Sequence, residues 1–318
     1  MRLKFVFVFI MASCVLSYSQ IKDSTKLISA ESAVKYYNSI LNRSGGNKAY
    51  AYHGLASLSF MTGNFKLAIE QSKNNIGYKN EYQAESFIIY AASIDRTGFP
   101  EDAIKEFEKA LKLYPDNYQL HYQYALSCYK FRELTKAHDA LKKTIELQPL
   151  FAEAHYLNGC VLFENSNNKE CVASFLYALM VDNDSARSCQ ALAFVNEYLN
   201  HNPESIKIPF YDRRYSVASV DNILGFYFPK ITKNRILADI KYEYFAGQIE
   251  QYVMTESLST PLYSQLFIQL AEKNLAKAFS HYVLRTTGSK YITEWYKVNG
   301  QPLKALADFL EKNLPGSK

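Results

Sequence analysis

One small side chain recurs every 34 to 35 residues: Ala68, Ala103, Ala137 and Cys171 hold the same slot, and Gly63 and Gly98 precede the first two by five residues. A period of this length marks a chain of supersecondary units, none of which can bury its apolar face alone, so each must stack on its neighbours. Such a chain is expected to be an all-α solenoid of helix hairpins. Its business is to present a surface.

Residues 84–117 form the clearest unit. Phe87, Tyr90-Ala91, Ile94, Gly98, Ala103, Phe107, Ala110-Leu111 and Pro115 fall in an order that resembles the tetratricopeptide repeat, two antiparallel helices marked by an aromatic, a small pair, a central Ala, a Phe and a closing Pro. Ala91 and Ala103 are small where the helices cross, because a larger side chain would push them beyond roughly 8 to 10 Å. Pro100 suits the first turn of the second helix, Glu101 and Asp102 sit at its positive end, and Pro115 stops it. The unit 118–151 repeats the frame with Tyr124-Ala125, Cys128, Ala137, Leu141, Ile145 and Pro149, and 152–185 keeps Gly159, Leu162, Phe175 and Ala178-Leu179. An earlier unit near 49–82 keeps Tyr52, Leu55-Ala56, Gly63, Phe65 and Ala68, and Ala33, Tyr37 and Ile40 form half a repeat within 20–48, read as an N-terminal capping helix. The resemblance implies a right-handed superhelical solenoid over 49–200. It covers roughly residues 29–200 in all.

After residue 185 the pattern decays, and the stretch from Pro203 to Pro229 breaks it with three prolines and two aromatic runs. Helical spacing returns in Ile236, Ile240, Tyr244, then Leu262, Leu266, Leu270, then Phe279, Val283 and Leu303, Leu306, Leu310. Residues 201–318 are therefore expected to be a degenerate helical region, either hairpins closing the solenoid or a small helical domain on its end. It would set orientation or dimerisation.

Residues 1–19 read as an export signal: Arg2 and Lys4, an apolar run from Phe5 to Leu16, then Ser17-Tyr18-Ser19 before Gln20. That run is too short for a spanning helix, which needs about 20 residues. The expected chain is periplasmic or secreted, with no transmembrane segment after cleavage. Met11-Ala12-Ser13-Cys14 also resembles a lipobox, which would lipidate Cys14, although Val15-Leu16 carry the apolar run past the cysteine.

Charge argues against nucleic acid, since residues 20–185 carry 18 basic and 19 acidic side chains and 186–318 carry 16 and 12, with no concentrated basic stripe. Cys128, Cys160, Cys171 and Cys189 form no CxxC, and Cys128 and Cys171 fall on small-residue slots where a free cysteine packs as a small hydrophobe. The six histidines are scattered, with His121 and His155 one period apart in the slot where the family packs an aromatic. No HExxH, GxSxG, phosphate-binding Gly loop or EF-hand spacing occurs, and Tyr211-Asp212-Arg213-Arg214 is a polar cluster of the kind usually found on solvated surface. Neither an enzyme, a cofactor nor a metal site is expected.

The resemblance places the inner wall of the superhelix on one face of each first helix. Here that face carries His53, Ser57, Phe60; Ile88, Ala92, Asp95; Tyr122, Leu126, Tyr129; and Tyr156, Cys160, Phe163, each stepping by four and then three residues along one stripe, with Tyr50 and Met61 beside the first. The candidate ligand groove is thus Tyr50, His53, Phe60, Tyr122, Tyr129, Tyr156 and Phe163, aromatic faces suited to a peptide segment of another cell-envelope protein. The Lys and Asn of the family's carboxylate-clamp members are missing from the corresponding slots. The competing reading makes the tyrosines packing, with C-terminal helices folded back over them, and glycan capture is the second function class.

Overall fold

The structure is a computed structural model that describes residues 30–165, 168–182, 185–200 and 242–314; the expected signal, Cys14 and the Tyr211–Arg214 cluster lie outside these. Fifteen α-helices and one 3-10 turn, and no strand, occur among the described residues. They are α1 (Ala30–Asn42), α2 (Lys48–Met61), α3 (Phe65–Ile76), α4 (Gln83–Arg96), α5 (Pro100–Leu113), α6 (Tyr118–Lys130), α7 (Leu134–Leu147), α8 (Ala152–Glu164), α9 (Asn168–Val181), α10 (Ser185–Asn200), α11 (Tyr242–Thr255), α12 (Pro261–Glu272), α13 (Ala276–Val283), α14 (Lys290–Val298) and α15 (Gly300–Asn313). None of them is long and apolar enough to cross a membrane. The helix pairs α2–α3, α4–α5, α6–α7 and α8–α9 coincide with the four sequence units.

Why the chain turns where it does is visible in the backbone. Gly63 and Gly98 adopt left-handed φ values of 77° and 92°. Each ends its helix in a Schellman motif: Gly63 N–H bonds Phe60 O at 3.1 Å and Asn64 N–H bonds Ser59 O at 2.8 Å, while Gly98 and Phe99 bond Asp95 O and Ile94 O. Arg132 fills the same slot one period later, at φ 68°, with Glu133 N–H on Cys128 O at 2.9 Å. The small slots then let the helices cross, with Ala68, Ala103 and Ala137 wholly buried and Cys171 2% exposed.

Two compact units divide at Ser127, inside α6, instead of near the expected boundary at residue 200. In the first, Ala84, Phe87, Ala91, Phe107, Ala110 and Leu120 make one cluster and Ala56, Ala68 and Ile89 another, with Phe60 packed against both. In the second, the C-terminal helices are fastened to the last repeat, which explains why no division falls between them. Tyr263 on α12 enters a polar pocket of α8 and α9, Tyr252 on α11 donates to Lys169 O, and Arg285 after α13 donates to Leu179 O, Met180 O and Asp182 O.

The α12–α13 pair is itself built like a repeat. Asn274 takes the left-handed slot at φ 57°, with Asn274 N–H on Ala271 O and Leu275 N–H on Leu270 O, the same pair of bonds as at Gly63. Its buried face is Tyr263, Leu266, Phe267 and Leu270, which keeps Leu266 and Leu270 of the expected stripe and leaves Leu262 half-buried at its edge. Tyr244 departs further from expectation, being 62% exposed while Phe245, Ala246 and Ile249 face inward.

Candidate functional site

In the first unit the predicted stripe separates into open and buried members. Asn47 caps α2 by accepting from Tyr50 N–H at 3.0 Å, which fixes Tyr50 in the first turn, half-buried. Its ring meets Tyr37 at 5.5 Å and Tyr82 at 5.8 Å. The Tyr37 hydroxyl is pushed up to about 12, first by burial and then by its bond to Tyr50. Phe60 is also half-buried, edge-on to Phe65 at 5.6 Å. Ile88 on α4 is half-buried too, as are Asp95 and Arg96 at the end of that helix.

His53 and Ser57 are not on offer. His53 lies under Tyr82, rings stacked at 5.1 Å, with Nδ1 3.5 Å from Ser86 Oγ, and burial pulls its pKa down to about 4. Ser86 in turn accepts from Asn75 Nδ2 at 2.6 Å, so this is an internal polar knot between α2, α3 and α4. Ser57 donates to His53 O within its own helix.

Tyr122, Tyr129 and Tyr156 correct the expectation of a continuous aromatic platform. They are 7%, 7% and 0% exposed. In the second unit Tyr129 donates to Glu164 Oε1 at 2.6 Å and Arg132 pairs with the same carboxylate. Tyr156 donates to Gln190 at 3.1 Å and sits edge-on to Phe175 at 5.4 Å. Near-complete burial of all three, with the Tyr129 and Tyr156 hydroxyls bonded inside the fold, makes these side chains packing, a result that the stripe spacing could not reveal because burial depends on what covers a face. Phe163 stays half-buried, edge-on to Phe194 at 5.7 Å.

The C-terminal hairpin does not reach this stripe through Tyr263. That residue contacts His155, Asn158 and Ser174, which leaves Tyr156, Cys160 and Phe163 on the neighbouring face of α8. His155 and His121 share a task missed in the sequence. Each ring donates through Nε2 to the carbonyl of the proline six residues earlier, Pro149 and Pro115, both at 2.8 Å. Their side chains tie the start of each repeat to the end of the one before, and the spacing of His and Pro by one period was the signal.

Among the described residues no three His, Cys, Asp or Glu side chains converge as a metal site, and Cys128, Cys160 and Cys171 are buried. Burial pushes the Cys160 and Cys171 thiols far up, away from reactive thiolate. A cleft of about 620 Å³ between α10 and α11 lies outside the predicted stripe.

Neither a family sequence model nor a curated protein sequence matches the chain. Among solved structures, it is similar to MamA, at 20% identity over 45% of this chain and 84% of that one with a TM-score of 0.40. YrrB, described as a TPR protein with an unusual peptide-binding site, is 18% identical over 54% and 84%, TM-score 0.40. The C-terminal part of a TPR repeat-containing protein from Cytophaga hutchinsonii is 12% identical over 88% and 97%, TM-score 0.45. By its own 34-residue register, Schellman turns and small crossing residues, the chain is an α-helical hairpin-repeat protein.

Proposed function

We propose that the chain is an exported scaffold whose first unit docks a peptide segment of another cell-envelope protein. The observation behind this reading is the partly open apolar strip of Tyr50, Phe60 and Ile88 on the first helices α2 and α4, with Asp95 and Arg96 at its end. Buried His53, Ser57 and Ser86 hold the floor rigid, so a peptide meets preordered rings and loses less entropy on binding than a mobile surface would demand. Half-buried aromatics with an apolar body and a polar tip are the side chains that dominate such contacts. Any dimerisation belongs to the C-terminal region.

The test is selection of peptides from a random displayed library on the chain from residue 20 onward, followed by fluorescence polarisation. Tyr50→Ala with Phe60→Ala should weaken selected peptides at least tenfold while the far-UV spectrum holds, measured below the melting temperature, which the lost packing of Phe60 on both clusters lowers. Failure to enrich any sequence, or affinity indifferent to both substitutions, would remove the reading.

A further inference from the structure

We infer that α14 is held by a proton-sensitive clasp on His281, docked while that ring is neutral and released when the ring takes up a second proton. The helix has nine residues, and the one it buries fully is Ile292. Tyr291, Trp295 and Tyr296 are half-buried, and all three close on His281 of α13. Trp295 stacks on the His281 ring at 3.9 Å and 20°, the Tyr291 hydroxyl lies 3.2 Å from Nε2, and the Tyr296 hydroxyl donates to His281 O at 3.1 Å. The rest of α14 faces water, with Val298 81% exposed. One residue therefore carries most of the attachment.

The direction of the bonds sets the charge that the clasp needs. Nδ1 of His281 is 2.8 Å from Lys277 O, a carbonyl that only accepts, so Nδ1 carries the proton and Nε2 accepts from Tyr291. A second proton turns that acceptor into a donor and removes the bond as it stands. It also charges a side chain that is 2% exposed.

Neighbouring groups do not offset this. Burial lowers the His281 pKa below the ordinary 6.5, the bond to Lys277 O opposes that shift, and the Lys277 ammonium one turn away adds to it. From α11 the Glu243 carboxylate acts on the Tyr291 hydroxyl, and from the turn after α13 Arg285 acts on Tyr296. The buried positions of α11, α12 and α15 are uncharged among the described residues, and on the α9 side Glu170 and Asp182 are engaged by Ser259 and Arg187. The Trp295 face attracts a cation, one contact set against burial, the Tyr291 bond and Lys277. With the docked pKa below the free value, docking is complete above pH 6.5 and weakens as pH falls below it. Release uncovers the aromatic face of Tyr291, Trp295 and Tyr296.

Trp295 is the chain's one tryptophan, so its emission reports on α14 alone. In the full chain, the acrylamide quenching constant of Trp295 should rise at least twofold between pH 7.5 and 5.0 while the far-UV spectrum holds. His281→Gln should give a constant that no longer depends on pH. Lys277→Gln, at an exposed position, should move the rise to lower pH, and His155→Gln should leave it where it is. A fall in emission without a rise in quenching means that the ring charges in place with α14 still docked, which overturns the inference. So does a rise that tracks the far-UV spectrum, or one that neither His281→Gln nor Lys277→Gln alters.

Discussion

The hydroxyl of Tyr263 donates to Nδ1 of His155 at 3.0 Å, joining α12 to α8 across 108 residues of sequence. The direction follows from the other side of the ring. Nε2 is 2.8 Å from Pro149 O, a carbonyl that only accepts, so Nε2 carries the proton and Nδ1 is the acceptor. Ser174 Oγ lies 2.8 Å from the same hydroxyl and Asn158 Nδ2 donates to it at 3.4 Å, while the His155 ring stacks on Tyr177 at 4.2 Å. No formal charge enters this cluster, and the neutral imidazole is required.

That requirement sets an acid limit on stability. Burial lowers the His155 pKa from 6.5 to about 4, so between those values the unfolded chain binds a proton that the folded chain refuses. Stability is full above pH 6.5 and falls as pH drops toward 4, by about 1.4 kcal/mol per unit per histidine. His53, also about 4, imposes the same dependence on the first unit. Urea melts at pH 7.5 and 5.0 should show a loss of at least about 2 kcal/mol in the second unit's transition, and His155→Gln should shrink that difference by more than half. An unchanged difference would mean that the ring is already charged in the fold.

Removing one oxygen tests the same joint from the other side. Tyr263→Phe keeps the ring, which is wholly buried, but leaves Nδ1 of His155 without a donor. The cost should be about 1–3 kcal/mol, the price of an orphaned buried acceptor. Tyr263→Ala should cost more, about 3–5 kcal/mol, because a cavity is added. Equal losses in the two variants, read by urea denaturation, would show that the hydroxyl contributes nothing.

The turns predict opposite outcomes for superficially similar changes. Gly98 sits at φ 92° with open space around it, so Gly98→Ala creates no clash and should still cost about 1–2 kcal/mol from backbone conformation alone. Asn274 bears a side chain at φ 57°, and Asn274→Gly should be neutral or stabilising by a few tenths of a kcal/mol. Thermal melts of both variants decide it. A stabilised Gly98→Ala would contradict the Schellman geometry.

How much of this was legible in the sequence depended on how local the cause was. Ala68, Ala103 and Ala137 were visible because helix crossing acts at one residue, and Gly63 and Gly98 because left-handed backbone selects glycine. Arg132 was invisible in that role, since the turn geometry overrides the preference of the residue that fills it. The candidate groove was read from spacing as a stripe, and three of its members, Tyr122, Tyr129 and Tyr156, are buried instead of lining a surface. Spacing fixes which residues share a face, whereas exposure is set by partners remote in the chain, such as Gln190 for Tyr156. The Tyr263 joint was hidden for the same reason: Leu266 and Leu270 marked the buried face of α12, but nothing local showed what Tyr263 beside them would meet.

Arg285 closes the attachment at the opposite end of α9. Its guanidinium donates to Leu179 O at 2.8 Å, Met180 O at 3.2 Å and Asp182 O at 2.8 Å, carbonyls at and just beyond the end of the helix, and lies 4.1 Å from the Tyr282 ring. At the helix start, Glu170 reaches the other way and accepts from Ser259 N–H, Ser259 Oγ and Thr260 N–H at the head of α12; burial pushes its pKa up, and the hydrogen bonds from Ser259 and Thr260 together outweigh it and hold it below the usual range. One helix therefore anchors the C-terminal hairpin at both ends with opposite charges, each matched to the helix terminus that it meets. Arg285→Ala should cost about 2–3 kcal/mol, and Arg285→Lys should recover less than half, because a point charge cannot serve three carbonyls in a fork. Amide exchange should rise in α12 and α13 well before it rises in α7. If exchange instead rises uniformly through the second unit, the hairpin and the repeat open as one body and Arg285 is not a local clasp.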